Sequence, residues 1–356
     1  NVTVNLTEQD AQETGLGEDT LINIENVSTG SGDDRLFGDN GDNRLAGGAG
    51  RDVLDGGAGD DLLSGGKGVD RARFVGKADA TVDLSEKKAQ DTGYGMDRLE
   101  GIEEVIAGSG DDILLGNNAS NQLFGQAGDD KLNGGSNIDE LFGGNGNDTL
   151  IGGQGNDELN GGNGNDLVKF NGTSDATVNL RENTFQAKGF GKDTLNSIED
   201  VSTGSGDDTL IGNSVRNKLS GGKGNDTING RGGNDKIEGG VGADTLIAGA
   251  GKDVLTGGAG RDVFVFAPGS GSNEITDFDA DLDVIDLSEF GDVRGETLLF
   301  VINRSGITIE FKNIDIRLSG FDREFNEIET EFATIRNQGS PIIVPNQPDV
   351  LTEGGN

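Results

Sequence analysis

The sequence predicts an all-β solenoid in which short parallel strands stack on one another, and two observations lead to this expectation. A nine-residue phrase, G-G-x-G-x-D-x-U-x with U a large aliphatic residue, recurs in constant phase within arrays that cover nearly half of the 356 residues. It fills three uninterrupted arrays, at residues 29–73, 107–169 and 203–265, with five, seven and seven copies. A fixed short period is typical of solenoids, because each repeat packs only against its neighbours.

The blocks before the arrays indicate the length of one coil. Each block begins with a Val-x-Leu tripeptide, at Val4, Val82 and Val178, and leads to an Ile-Glu-x-Val sequence. The interval from Val82 to Val178 is longer than the interval from Val4 to Val82, and the difference equals two nonapeptides. The spacing therefore changes by whole units, as expected if two nonapeptides form one coil.

The residue types within a repeat predict its local structure. The glycines permit the positive φ angles of tight turns, and the eighth-position aliphatic residue alternates inward from a short strand. We expect six residues of turn and three of strand, so that two repeats form one flat coil around an aliphatic core. Such coils stack about 4.8 Å apart and form a parallel β-roll.

The sixth position of the repeat carries a carboxylate. Turns n and n+2 lie one above the other, which brings two carboxylates and several carbonyls around one point at about 13 or more interior positions. Coordination by six to eight oxygens at about 2.4 Å is typical of Ca²⁺. The second repeat of each array has Asn instead, at Asn43, Asn121 and Asn217. The predicted calcium ligands are Asp34, Asp52, Asp61, Asp70, Asp112, Asp130, Asp139, Asp148, Asp157, Asp166, Asp208, Asp226, Asp235, Asp244, Asp253 and Asp262.

Each block between the arrays also contains a degenerate repeat, of the form Gly-x-Gly-x-Asp-x-Leu, which adds Asp19, Asp97 and Asp193 as candidate ligands. The glutamates of the Ile-Glu-x-Val sequences, Glu25, Glu103 and Glu199, are either ligands, glycan contacts or hydrogen-bonding groups of a turn or edge. We favour hydrogen bonding for these glutamates.

The composition excludes several classes of function. A net charge of −36 argues against binding to nucleic acid or an anionic membrane and favours cations. The absence of His and Cys argues against zinc or copper sites, disulfides and most nucleophile–base pairs, so we predict no catalysis within the chain. No apolar run approaches the roughly 18 residues of a membrane helix, and we predict no membrane insertion.

The changes of pattern predict the boundaries of eight segments. After residue 265 glycine becomes rarer and strand-forming residues increase, as expected of a β cap, and the prolines near the end favour a linker or tail. Because the first residue is Asn1 and the first block lacks the start seen in the others, we expect more chain upstream. The segments are a block at 1–28, array one at 29–73, a block at 74–106, array two at 107–169, a block at 170–202, array three at 203–265, the cap at 266–336 and the tail at 337–356.

These motifs resemble the repeats-in-toxin (RTX) family of calcium-binding parallel β-rolls, over about residues 14–290. The segment from Phe264 to Ser288 also resembles the closing region of serralysin-type proteins. The resemblance implies secretion through bacterial type I machinery, and folding outside the cell when calcium is met. The end of the tail, Gly-Gly-Asn, shows no secretion signal that we recognise.

Three functions remain open on this basis. The first, which we favour, is a structural or adhesive module of a large secreted or cell-surface protein, such as an adhesin or S-layer component. The second is the secretion and folding domain of an exported hydrolase, epimerase or lyase. The third is polysaccharide binding on the flat face of the roll. The expected partners are calcium and the secretion machinery, with cell-surface polysaccharide and further copies of the chain as open alternatives.

Overall fold

A computed structural model gives the structure of residues 1–15, 17–182, 191–279, 281–290, 299–303, 306–311, 314–319, 334–337 and 340–342. Part of the degenerate repeat before Asp193, much of the predicted cap and nearly all of the predicted tail lie outside these residues. The chain forms two compact units. The first comprises Asn1–Val168 with Phe190–Ile198, and the second comprises Lys169–Gly189 with Glu199–Asn356.

Most strands of the first unit alternate between the two faces of a roll, and the short strands at Gln12–Glu13, Glu18–Asp19 and Gln90–Asp91 form antiparallel pairs instead. Their bounds are β1 Thr3–Asn5, β2 Gln12–Glu13, β3 Glu18–Asp19, β4 Asn26–Ser28, β5 Arg35–Phe37, β6 Arg44–Ala49, β7 Val53–Asp55, β8 Leu62–Lys67, β9 Arg71–Arg73, β10 Thr81–Asp83, β11 Gln90–Asp91, β12 Met96–Glu100, β13 Glu104–Ile106, β14 Ile113–Asn117, β15 Gln122–Ala127, β16 Lys131–Ser136, β17 Glu140–Asn145, β18 Thr149–Gln154, β19 Glu158–Asn163, β20 Leu167–Phe170 and β22 Thr194–Asn196.

The first face of this unit is one parallel sheet in the order β1-β5-β7-β9-β13-β15-β17-β19-β22. The opposite face is built from two stretches, β4-β6-β8-β12 and β10-β14-β16-β18-β20, which are also parallel. Leu123 pairs with Leu141, and Leu141 with Leu159, so the register advances by two nonapeptides per coil. The predicted coil length is therefore confirmed.

The second unit has the same construction and ends in antiparallel strands. Its elements are β21 Thr177–Asn179, β23 Asp200–Thr203, β24 Thr209–Ile211, β25 Lys218–Lys223, β26 Thr227–Asn229, β27 Lys236–Val241, β28 Thr245–Ile247, β29 Val254–Ala259, β30 Val263–Val265, β31 Ser272–Ile275, β32 Val284–Asp286, the 3₁₀ helix Ser288–Phe290, β33 Leu299–Asn303, β34 Gly306–Phe311, β35 Ile314–Leu318, β36 Thr334–Asn337 and β37 Ser340–Ile342.

One face of the second unit follows the order β23-β25-β27-β29-β31-β35 in parallel and then adds β34 and β33 antiparallel. The other follows β21-β24-β26-β28-β30-β32-β36 in parallel and ends on antiparallel β37. In each sheet, antiparallel strands cover the C-terminal edge of the parallel stack, where backbone groups would otherwise lack partners.

The core is a column of eighth-position side chains between the two faces. Leu36, Leu123 and Leu219 are fully buried, as are nearly all residues at this position. At about 25 cal/mol per Å² of apolar surface, each leucine contributes roughly 1.5–3 kcal/mol. One such residue per nine is a thin core for a chain containing 64 glycines, so apolar burial alone does not explain the fold.

One sequence expectation about the repeat was wrong. Three residues of strand were predicted per nonapeptide, but many strands contain six, including β6, β15 and β27. The extra residues are the first three of the next nonapeptide, mostly Gly-Gly-x, where Gly48 pairs with Gly66 in the stacked coil. Because stacked turns share the register of the strands, their backbone groups bond to each other and extend the ladder.

Candidate calcium sites

The sixth-position aspartates form continuous columns of stacked carboxylates. All those of the three arrays are 0–3% exposed. Oδ1 of Asp148 accepts the backbone N–H of Asp130 at 2.8 Å, and Oδ1 of Asp166 accepts that of Asp148 at 2.8 Å. Equivalent bonds of 2.7–3.0 Å join successive members of the other columns. Carboxylates of turns n and n+2 therefore lie one above the other.

The second oxygen of most of these carboxylates is buried and accepts no hydrogen bond from the part of the chain that the structure describes. Burying an ionised carboxylate without a compensating group costs roughly several kcal/mol, even after the surrounding protein has relaxed. A column of such oxygens requires positive charge. Oδ2 atoms of this kind belong to Asp34, Asp52, Asp61, Asp70, Asp130, Asp139, Asp148, Asp157, Asp193, Asp226, Asp235, Asp244, Asp253 and Asp262.

Backbone carbonyls converge on the same space because the first residue of the repeat is glycine. An ideal Cβ on Gly125 would lie 2.1 Å from Oδ2 of Asp130 and 2.8 Å from the carbonyl oxygen of Gly143 in the next coil. A side chain at this position would therefore displace the carboxylate. No three acidic side chains converge among the described residues, so a site would combine one or two carboxylates with carbonyls. Oxygen donors alone fit calcium.

Burial changes the acidity of the column. Burial, and to a smaller extent the carboxylates of neighbouring coils, raises the pKa of Asp130, Asp139, Asp226 and Asp235 to about 7. The backbone N–H bond to each carboxylate opposes this shift. In the folded chain without a cation, these groups therefore hold protons near neutral pH.

This shift predicts that calcium and protons compete. An unfolded aspartate has a pKa near 3.8, so the cation-free roll binds more protons than the unfolded chain between about pH 4 and 7, and its stability falls as the pH rises through about 7. Calcium replaces those protons. Without calcium, we therefore expect more residual β structure at pH 5 than at pH 8, measured by far-UV circular dichroism in calcium-free buffer, because only protonated columns are compensated. Equal β signal at the two pH values would contradict the shift.

The asparagines of the column differ from the aspartates, because their amides already have hydrogen-bond partners. Oδ1 of Asn121 accepts the N–H of Asn117 at 2.8 Å, and Oδ1 of Asn217 accepts that of Asn213 at 2.9 Å. Nδ2 of Asn217 donates to the carbonyl oxygen of Glu199 at 2.7 Å. Each candidate calcium site between an asparagine and the aspartate of the next coil therefore has one carboxylate instead of two.

We expect weaker calcium binding at the asparagine levels, because affinity depends on the number of charged ligands. In crystals grown at limiting calcium, the site between Asn121 and Asp139 should be less occupied than the site between Asp130 and Asp148. The pairs Asn43/Asp61 and Asn217/Asp235 should behave like Asn121/Asp139. Equal or higher occupancy at the asparagine levels would contradict the pairing of stacked turns.

The aspartates of the three degenerate repeats are in different environments. Asp97 is buried and its Oδ1 accepts the N–H of Asp61 at 2.9 Å, as in the arrays, but its Oδ2 accepts the hydroxyl of Thr92. Asp19 is exposed, and its Oδ2 accepts the hydroxyl of Thr14 at 2.6 Å. Asp193 is buried, and its Oδ1 accepts the N–H of Asp157 at 3.0 Å, as in the arrays. The geometry favours Asp193 as a ligand over the other two.

A second column, on the exposed edge of the turn, was not predicted from the sequence. At the fifth position, Oδ1 of Asp111 accepts the N–H of Asp129 at 2.8 Å, and Oδ1 of Asp129 accepts that of Asn147 at 2.7 Å. These bonds run in the opposite direction along the stack to those of the sixth position. The signal was present, since 11 of 19 fifth positions are Asp or Asn.

The columns also continue beyond the last repeats, which the nonapeptide pattern did not reveal. Oδ1 of Asn273 accepts the N–H of Asp253 at 2.9 Å, and Oδ1 of Asp283 accepts that of Asp262 at 3.0 Å. Oδ2 of Asp283 accepts the N–H of Asp279 at 2.8 Å. These two residues therefore close the column at the cap.

A parallel roll with columns of buried carboxylates defines the class of calcium-binding β-rolls, and comparison with known families agrees. The family model for the RTX calcium-binding nonapeptide repeat matches more than half of the chain. The chain belongs to this family. The matched residues are 23–54, 37–72, 106–141, 133–168, 202–237, 229–264 and 238–272.

Similarity to individual proteins is weaker. The AlgE6R3 subunit of the mannuronan C5-epimerase from Azotobacter vinelandii is 25% identical, over 41% of this chain and 92% of that one, with a TM-score of 0.31. The extracellular lipase LipA from Serratia marcescens is 13% identical, over 77% of this chain and 66% of that one, with a TM-score of 0.25. A search of curated proteins found no match. Both TM-scores are too low to support a functional inference.

Proposed function

We propose that this chain is a calcium-folded structural module of a large secreted or cell-surface bacterial protein. It crosses the type I secretion machinery unfolded and folds when it meets extracellular calcium. The observation that carries this proposal is the column of buried Oδ2 atoms, which accept no hydrogen bond among the described residues. A cation that neutralises the column stabilises the folded chain and has no equivalent site in the unfolded one.

The energetics support folding outside the cell. Self-repulsion of 36 net negative charges and the ordering of 64 glycines both oppose folding, while the apolar core is thin. By analogy with extracellular modules, affinities of about 10⁻⁴–10⁻³ M are expected. A chain with such sites stays unfolded in a low-calcium cytoplasm. Among the described residues, no helix has the length and apolar character needed to span a bilayer.

The proposal requires that magnesium does not replace calcium. Mg²⁺ demands near-octahedral geometry at about 2.1 Å and releases its water reluctantly, whereas these sites are assembled from carbonyls and carboxylates of fixed spacing. We expect 10 mM Mg²⁺, tested by far-UV circular dichroism, to leave the chain unfolded. Equal concentrations of Ca²⁺ should produce full β signal, and strontium provides a larger divalent control. A magnesium spectrum identical to the calcium spectrum would overturn the export model.

A second candidate function, polysaccharide binding, is favoured by one feature of the first sheet. The rings of Phe124 and Phe142 stack with centroids 4.8 Å apart and planes 4° apart on its outer face. Beside them, Nε2 of Gln122 donates to Oε2 of Glu140 at 3.0 Å. Because the two rings cover each other's inner faces, a sugar chain would contact their outward edges and the planar polar groups beside them. Micromolar affinity for an alginate-like glycan by calorimetry, lost in Phe124→Leu/Phe142→Leu, would favour this candidate.

The role of secretion and folding domain for an exported hydrolase, epimerase or lyase uses the same calcium chemistry. The full-length gene distinguishes it from a structural role. A catalytic domain encoded on the same chain favours the enzyme, and repetitive or immunoglobulin-like modules on either side favour the structural role.

A further inference from the structure

The site geometry of the first array continues one coil beyond its last nonapeptide. Asp70 is the last sixth-position residue of that array, and its side chain is fully buried. Its Oδ2 accepts no hydrogen bond from the described residues. Within the array, the next coil supplies a carbonyl and a carboxylate to this position. Above Asp70 the next coil belongs to the linking block, which has no nonapeptide there.

The linking block nevertheless supplies the missing carbonyl. An ideal Cβ on Gly65 would lie 2.6 Å from Oδ2 of Asp70 and 2.2 Å from the carbonyl oxygen of Gly101. The corresponding atoms in the second array are Oδ2 of Asp130 and the carbonyl oxygen of Gly143, around Gly125. Gly101 therefore takes the place of the first glycine of a repeat.

The block also supplies the missing carboxylate. Oε2 of Glu103 accepts the backbone N–H of Asp70 at 2.9 Å, as Oδ1 of the next aspartate does within the arrays. The backbone N–H of Glu103 in turn donates to the carbonyl oxygen of Asp70 at 3.0 Å. The extra methylene of glutamate lets a residue outside the nonapeptide register reach the column.

The neighbouring acid, Glu104, is not available for this role. Its carboxylate forms ion pairs with Arg51 and Arg71, the latter through Nη2 to Oε2 at 2.6 Å. Glu103 is thus the acid that faces Asp70, and the repulsion between them adds to burial in raising the pKa of Asp70. Two carboxylates and a carbonyl meet without a neutralising side chain in the contacts described.

The residue that provides this carbonyl, Gly101, has a positive φ angle, and the same backbone conformation recurs in the other two blocks. Gly101 has φ of 60°, and the equivalent residues of the other blocks, Asn23 and Ser197, have φ of 55° and 50°. Positive φ is uncommon for residues other than glycine. The carbonyl oxygen of Ser197 lies 2.3 Å from the ideal Cβ of Gly161, the same placement as that of Gly101. All three blocks therefore share one local turn.

We propose that Oδ2 of Asp70, the carbonyl oxygen of Gly101 and the carboxylate of Glu103 bind a calcium ion that joins the first array to its linking block. The site lies outside the nonapeptide pattern and rests on the proposed calcium-dependent folding. The ion would continue the column of carboxylates beyond the last repeat of the first array. It would bind the linking block to that array as the proposed ions bind one coil to the next.

Crystals of the full chain in millimolar calcium test this site through anomalous scattering at long wavelength. We expect a peak about 2.3–2.6 Å from Oδ2 of Asp70 and from oxygens of Gly101 and Glu103. Peaks in the arrays without one at Asp70 would overturn this inference and leave the proposed function intact. Absence of peaks throughout a folded, calcium-saturated crystal would overturn the proposed function itself.

Substitution separates ligation from simple hydrogen bonding. Glu103→Gln keeps an oxygen that can accept the N–H of Asp70 but removes the charge, so calcium affinity at this site should fall about tenfold or more. Glu100→Gln is the matched control, because Glu100 lies in the same block, is exposed and pairs with Arg98 at 2.5 Å. Occupancy at limiting calcium should fall in Glu103→Gln alone. Unchanged occupancy in Glu103→Gln would show that Glu103 only caps the backbone.

Discussion

Removing calcium from the folded chain is expected to abolish most of its β structure. At pH 8, above the raised pKa values of the columns, the buried carboxylates would be left as uncompensated charges, each costing roughly several kcal/mol. A thin core cannot supply that energy, since domains have only about 5–15 kcal/mol of net stability. Far-UV circular dichroism in excess EGTA should show the spectrum of a disordered chain, and millimolar calcium should restore the β signal cooperatively.

The cooperativity has a structural cause. Each carboxylate bonds the N–H of the coil before it, so an ordered coil presents a preformed half-site to the next. Calcium uptake and coil formation therefore proceed together along the stack. Full β content in EGTA at pH 8, where proton binding no longer compensates the columns, would overturn this account of the fold.

The second large effect is expected from substitution in the middle of a column. Asp148 lies between Asp130 and Asp166 in the column, so we assign its carboxylate to two of the proposed calcium sites. Asp112 begins the same array, and the residue bonded to its Oδ1 is Ala80, which has no carboxylate. Asp148→Ala should raise the calcium midpoint for folding about fivefold or more, because affinity depends on ligand charge, and Asp112→Ala should raise it less.

Lost hydrogen bonds do not account for the expected difference. Each carboxylate accepts one backbone N–H through Oδ1, at 2.8 Å for Asp148 and 2.6 Å for Asp112, and Oδ2 of Asp112 accepts a further one from Gly108 at 3.3 Å. Alanine removes at least one such charge-assisted bond, worth about 1.5–3 kcal/mol, from either position. The Asn variants keep the acceptor and isolate the effect of charge. Equal midpoints for Asp148→Ala and Asp112→Ala, or a larger shift for Asp112→Ala, would disprove shared ligation by stacked turns.

Periodicity was sufficient to predict the coil, the core and the carboxylate columns. A repeat of nine residues in constant phase forces equivalent side chains into register once two repeats close a coil. Leu123, Leu141 and Leu159 accordingly stack in one column, and Asp130, Asp148 and Asp166 in another. The increase in strand-forming residues after residue 265 also predicted strands in that part of the chain, and the described ones include β31, β33 and β35.

Only the tertiary structure determined the hydrogen bonds within the irregular blocks and between those blocks and the arrays. Thr92 satisfies the carboxylate of Asp97, although Asp97 matches the pattern of a ligand. Glu103 joins the column at Asp70 although it matches no repeat. A one-dimensional pattern determines which residues are equivalent within a period. It contains no information on which hydroxyl, carbonyl or carboxylate from a different segment fills the space next to a buried oxygen, because that depends on how the irregular block folds back onto the stack.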